Sequence, residues 1–171
     1  MIGKKAVKEL NKQINAEMFS AYFYLSMSAW CEHEKLPGFA NWMRIQAQEE
    51  MDHAMKMFDY LLERGGVPVL DTIDKPQAEW DSILTLVGDV EKHEQYVTGL
   101  INDLVDCALK ERDHALNYFL QWFVEEQVEE EASVGAVYDR LKMIGDDSSG
   151  LVALDMEMAK RVYTPPAEGE K

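Results

Sequence analysis

Residues 46–57 read QAQEEMDHAMKM, and 77 positions later residues 123–134 read FVEEQVEEEASV. Laid over each other at that offset, Glu49, Glu50 and His53 meet Glu126, Gln127 and Glu130. Upstream of each cluster stands a lone glutamate, Glu17 before the first and Glu94 before the second, again 77 residues apart. The chain therefore reads as two helical hairpins, each contributing half of one polar site, and the occupant that fits such a site is a pair of metal ions. The copies are unequal. The first carries Glu-x-x-His (Glu50, His53), the second Gln-x-x-Glu (Gln127, Glu130).

Composition bounds what such a site can serve. With 171 residues and 47% apolar content, one domain covering 1–171 can bury a substantial core, whereas two would be small. The 32 acidic and 17 basic side chains leave a net charge of -15, which repels nucleic-acid phosphates and attracts cations. Cys31 and Cys107 show no C-x-x-C spacing, so neither a disulfide framework nor a thiolate metal site is expected, and a reducing cytoplasm is the expected compartment. The N-terminal MIGKKAVKELNK has no apolar h-region. The uncharged stretch from Met18 to Cys31 is only 14 residues, too short to span a bilayer, so no membrane partner is expected.

The punctuation predicts helices over about 4–33, 39–64, 82–110, 113–144 and 149–161. Leu36-Pro37-Gly38 separates the first two, Gly65-Gly66 ends the second, and residues 67–81 form a loop. Asp81 or Ser82 can cap the third helix, Asp113 the fourth, and Ser148 or Ser149 can start the short fifth. The apolar stripes then locate the polar residues. Leu10, Ile14, Glu17, Ala21 and Tyr24 share one face of the first helix, and Val87, Val90, Glu94, Val97 and Ile101 one face of the third. Trp42, Gln46, Glu50, His53 and Met57 line the second, and Leu120, Phe123, Gln127, Glu130 and Val134 the fourth. Four ionisable inward faces cannot be buried unpaired at reasonable cost, and bound cations satisfy all of them together.

Depth permits the groups to meet. Glu94 and Glu130 both lie roughly 25 Å from the turn joining their helices, at 1.5 Å per residue. The 15-residue loop can reach roughly 50 Å, enough to cross the length of the second helix and set helices two and three parallel. The first hairpin fits less well, with Glu17 and Glu50 out of level by roughly 7 Å. A second Glu-x-x-His, Glu111 and His114, falls at a turn and reads as incidental.

The phrases NKQINAEMFSAYFYLSMSAW, QAQEEMDHAMKMFDYL and NYFLQWFVEEQVEEE resemble the non-haem bacterial and archaeal ferritins, over nearly the whole chain. The resemblance implies an all-α, ferritin-like four-helix bundle with a long crossover between helices two and three and a short fifth helix. About 24 subunits would form a hollow shell, oxidise Fe(II) with O2 or hydrogen peroxide, and store the ferric mineral. Residue by residue it implies Glu17, Glu50 and His53 at a first iron, Glu50 bridging to a second with Glu94 and Glu130, and Gln127 beside them. A third iron would use Glu49, Glu126, Glu129 and Glu130. Carboxylate oxygens with one imidazole also suit Fe(II) on their own chemistry, and do not make a structural zinc site. Tyr24, on the stripe of Glu17, can hydrogen-bond a ligand or supply an electron, and Trp122 can extend that path; packing alone accounts equally for both.

Other readings stay open at this point. Met51, next to Glu50, corresponds to the methionine that ligates haem in bacterioferritins, but the second half lacks their repeated motif, so no haem is expected. A rubrerythrin-type di-iron oxidase would carry a C-x-x-C module. A DNA-protecting mini-ferritin would place its site between subunits and usually carry a basic tail, whereas Lys4, Lys5, Lys8 and Lys12 make only a modestly basic face, so no nucleic acid is expected. Asn117 and Leu120 stand where animal ferritins line their threefold pores with acids, which puts iron entry by that route in doubt.

Overall fold

A computed structural model describes residues 2–165, and among them every regular element is helical. The helices are α1 (Lys4–His33), α2 (Pro37–Glu63), α3 (Ile83–Lys110), α4 (His114–Ile144) and α5 (Ser148–Met158). Three starts are capped by side chains: Ser82 Oγ accepts from the Thr85 amide, Asp113 from Leu116 and Asp147 from Ser149. Gly65 (φ 76°) and Gly145 (φ 55°) end α2 and α4 in the left-handed region, where a missing Cβ removes the steric cost.

Two boundaries depart from the sequence reading by more than one residue. The second helix begins at Pro37, two residues before the expected Phe39, because proline's fixed φ suits the first helical position and its missing amide hydrogen costs nothing there. Glu17 now lies 16 residues before the end of α1 and Glu50 13 after the start of α2, so the misfit falls to roughly 4.5 Å. The fifth helix stops at Met158 instead of 161. The Asn41 amide takes the carbonyl oxygens of Met158 (3.3 Å) and Arg161 (3.0 Å), which draws the chain out of helix and along α2.

The start of α2 has no cap from its own neighbourhood. Asp155 of α5 supplies one, its Oδ1 accepting the Phe39 amide at 2.9 Å. This approach requires Gly38: a Cβ there would lie 1.7 Å from the Asp155 carbonyl oxygen. The crossover between α2 and α3 lies on α1, pinned by Asn11 to Val67 and Val69, by Asn15 to Thr72, and by Ser26 to Gln77.

α1 packs closely on α2 and α3, and α3 on α4, whereas no described Cα atoms of α2 and α4 come within 8 Å. The two helices that carry the repeated clusters thus stay more than 8 Å apart, Cα to Cα. The apolar core forms two blocks. One gathers Met27, Phe39, Trp42, Leu86, Val90, Val134 and Leu154; the other gathers Leu10, Ile14, Met57, Ile101, Leu104, Leu120 and Phe123. Between them runs a buried polar layer of Gln13, Glu17, Gln46, Glu50, His53, Glu94, Gln127 and Glu130. Burial of the two blocks is the favourable term that holds this layer out of water.

Candidate metal centre

Each helix of the bundle sends its interrupted stripe into the polar layer. Glu17, Glu50 and His53 converge, offering one ligand atom each within 4.8 Å of one another. His53 Nδ1 lies 3.6 Å from Glu50 Oε2, and its ring sits edge-on to Trp122 and Phe123, with centroids 5.3 and 6.0 Å away. Glu17 Oε1 accepts from Gln13 Nε2 at 2.9 Å. Glu94 accepts from the Tyr24 hydroxyl at Oε1 and from Gln127 Nε2 at Oε2 (3.1 Å). Glu130 Oε2 accepts from Gln46 Nε2 at 2.8 Å.

Two oxygens are left without an amide, ring or hydroxyl donor, and only the Glu17 and Glu50 carboxyls face each other there, close enough to share a proton. These oxygens, Glu17 Oε2 and Glu50 Oε2, are buried, and both belong to the converging group. A buried carboxylate oxygen without a donor is costly, and a cation coordinated there removes that cost. The donor set, carboxylate oxygens with one imidazole nitrogen, fits Fe(II).

The electrostatics point the same way. Burial, then the neighbouring Glu50 charge, pushes the Glu17 carboxyl well above the usual carboxylate range, and burial and Glu94 do the same to Glu50. Glu94 and Glu130 are raised as well, chiefly by burial. Without a cation these groups therefore favour protons, and a divalent ion competes with those protons for the same oxygens. Tyr24, raised by burial and by the Glu94 charge, keeps its hydroxyl proton and donates it to Glu94.

The four acids of the expected third position do not converge. Glu49 and Glu126 are half-buried, Glu129 is exposed, and only Glu130 lies in the buried layer. Glu49 Oε2 is instead 2.7 Å from the Arg161 guanidinium, which also donates to Gln46 Oε1. Sequence reasoning missed Gln13 and Arg161 and gave Gln46 no role beyond its place on the stripe. Gln13 stands one turn before Glu17 on the inward face, a readable signal; Arg161, beyond the last helix, left none. Trp122 packs edge-on against His53 and carries the Lys56 ammonium 3.9 Å above its ring.

A ferritin-like domain family matches residues 7–144. The chain belongs to the ferritin family. The bacterial non-heme ferritin of Bacteroides fragilis is 44% identical over 161 residues, covering 94% of this chain and all of that one. Its counterpart in Escherichia coli is 38% identical over 93% of this chain and 96% of that one. An open pore ferritin from the hyperthermophilic archaeon Archaeoglobus fulgidus superposes on this ferritin with a TM-score of 0.94 at 49% identity, covering 95% and 99% of the two chains. The bundle with a short C-terminal helix is thus the ferritin fold, and iron storage with ferroxidase activity is the function that this membership carries.

Proposed function

We propose that the polar layer is an intra-subunit di-iron ferroxidase centre, fed with Fe(II) and discharging ferric iron into the shell. The observation that carries this reading is the convergence of two buried carboxyls, Glu17 and Glu50, with the His53 ring, with Glu17 Oε2 and Glu50 Oε2 given no amide donor. Glu17, Glu50 and His53 take the first iron; Glu50, Glu94 and Glu130 take the second. Glu50 bridges because it alone among these acids carries no amide or hydroxyl donor, leaving its oxygens for metal. Gln127 orients Glu94. Each of two Fe(II) ions gives up one electron, and O2 takes both with two protons to form hydrogen peroxide, which can itself serve as oxidant for a further pair. The carboxyls that hold protons in the empty layer release them as iron enters, close to where the oxidant needs them.

Glu49, Glu126, Glu129 and Glu130, which do not converge without metal, would draw together around a third cation on the way out. Exposed apolar side chains on α1 (Tyr22, Leu25), α2 (Met51, Met55) and the crossover (Val69, Leu70) support burial against further copies of the chain in a shell of about 24 subunits. No described helix is long and apolar enough to cross a membrane, and the charge of -15 disfavours nucleic acid. A cytoplasmic iron store without haem is the resulting reading, and the absence of a Soret band from purified protein tests the last point.

Glu50→Ala is the direct test. It removes the shared bridge while relieving carboxylate repulsion in the empty layer, so the shell should assemble and rapid Fe(II) oxidation should fall by about 100-fold or more. Stopped-flow absorbance after mixing Fe(II)-loaded protein with O2 reads this, and near-native initial rates would sink the assignment.

A further inference from the structure

Beyond Met158 the chain forms a strap along one stripe of α2. Asn41 holds the carbonyl oxygens of residues 158 and 161, the Arg161 guanidinium grips Gln46 and Glu49, and the Tyr163 hydroxyl donates to Asp52. Gln46 passes the contact onward, because its amide nitrogen donates to Glu130 while its amide oxygen accepts from Arg161. One guanidinium therefore governs two of the four acids at the third position, Glu49 directly and Glu130 through Gln46. A guanidinium nitrogen 2.7 Å from Glu49 Oε2 occupies one lone pair of that oxygen and sets a positive charge beside it, which opposes a second cation on the same carboxylate.

We propose that Arg161 is a displaceable counter-ion at the exit from the di-iron layer. It neutralises Glu49 in the absence of a third cation, and a cation that lodges there has to push it and its strap aside or bear its repulsion. The strap thereby keeps the third position weak. Iron passes through it instead of settling, and Gln46, freed from Arg161, can follow Glu130 as that carboxylate turns between the second and third positions. Arg161 touches no iron in this scheme; it is a positioning residue whose charge sets the affinity of a neighbouring site. The inference rests on the reading of Glu49, Glu126, Glu129 and Glu130 as a cation site.

Zn(II), which undergoes no oxidation, separates binding from turnover. Calorimetric titration of the assembled apo shell should resolve two tight sites per subunit and a weaker third. Arg161→Gln should tighten the third by about tenfold and leave the first two unchanged, the size expected for a half-exposed charge-assisted contact. Arg161→Lys, which keeps the charge, should return the third affinity most of the way to that of the parent, whereas a purely structural role would leave the two variants alike. Tyr163→Phe, which loosens the strap and keeps the arginine, should tighten the third site by a smaller factor. Glu49→Gln supplies the control by eliminating that site. If Glu49→Gln eliminates it but Arg161→Gln leaves its affinity unchanged, the counter-ion role is overturned and the three-site reading stands. If Glu49→Gln removes no zinc at all, both fall.

Discussion

Glutamine at position 127, where the repeat would place a second glutamate, sets the behaviour of the centre residue by residue. Its amide donates to Glu94 Oε2 and sits 3.3 Å from Thr98 Oγ1, so it stabilises a ligand without adding charge. If Glu130 is shared between two positions, as proposed, the second iron would be held less firmly than the first. Gln127→Glu together with Glu130→His restores Glu-x-x-His to both halves. This pair should retain at least severalfold more iron after oxidation and brief chelation, and slow repeated Fe(II) additions, as read by iron content per subunit and by turnover rate. Equal iron loss and equal turnover in variant and parent would show that the asymmetry does not drive release. The inward acids were legible in the sequence because each interrupts an apolar stripe at helical spacing. The pairing of Gln46 on α2 with Glu130 on α4 was not, since no periodicity within one helix reports the rotation of its neighbour.

At the scale of elements, α5 acts as a cap on another helix. Asp155 accepts the Phe39 amide at the start of α2, in the place where a serine or aspartate would ordinarily precede the helix, and Gly38 is the gap that lets it in. Asp155→Ala should cost about 1 kcal/mol of thermal stability. Gly38→Ala should cost at least about 2 kcal/mol, because its Cβ would collide with rigid backbone and push α5 away. Thermal melts of the two variants check the order, and a Gly38→Ala protein as stable as the parent would mean that α5 docks by other contacts. Helix starts were readable from Ser82 and Asp113, which carry their caps next to them in sequence. The end of α5 was not, because the carbonyl groups that terminate it are taken by Asn41, more than 100 residues upstream.

For the whole molecule, the buried acids make stability depend on pH in a direction opposite to the usual one. Glu17, Glu50, Glu94 and Glu130 hold protons more tightly folded than unfolded, so the folded state carries the excess protons and loses stability as pH rises through their raised range. His93, which burial lowers to about 4, opposes this only in acid, where the unfolded chain takes up its proton; above about pH 6.5 it is neutral in both states. The metal-free protein should therefore melt at lower temperature at pH 8.5 than at pH 6.5. Glu50→Gln should flatten that slope, and zinc should raise the melting point most at the higher pH. A melting point that climbs with pH in the metal-free protein would contradict the burial of these charges. The crossover was legible from loop length alone, which demands a long traverse, but its seating on Asn11, Asn15 and Ser26 was not, because those polar residues look like ordinary solvated helix positions. One property of the polar layer bears on how the centre works repeatedly without damage. Glu17, Glu94 and Glu130 each rest on an amide, from Gln13, Gln127 and Gln46 respectively. On the di-iron reading, iron leaving would return these three carboxylates to seats that the protein already holds for them. Glu50 has no amide and meets only the Glu17 carboxyl, so on that reading it is the one side chain that would have to move as each pair of ions comes and goes.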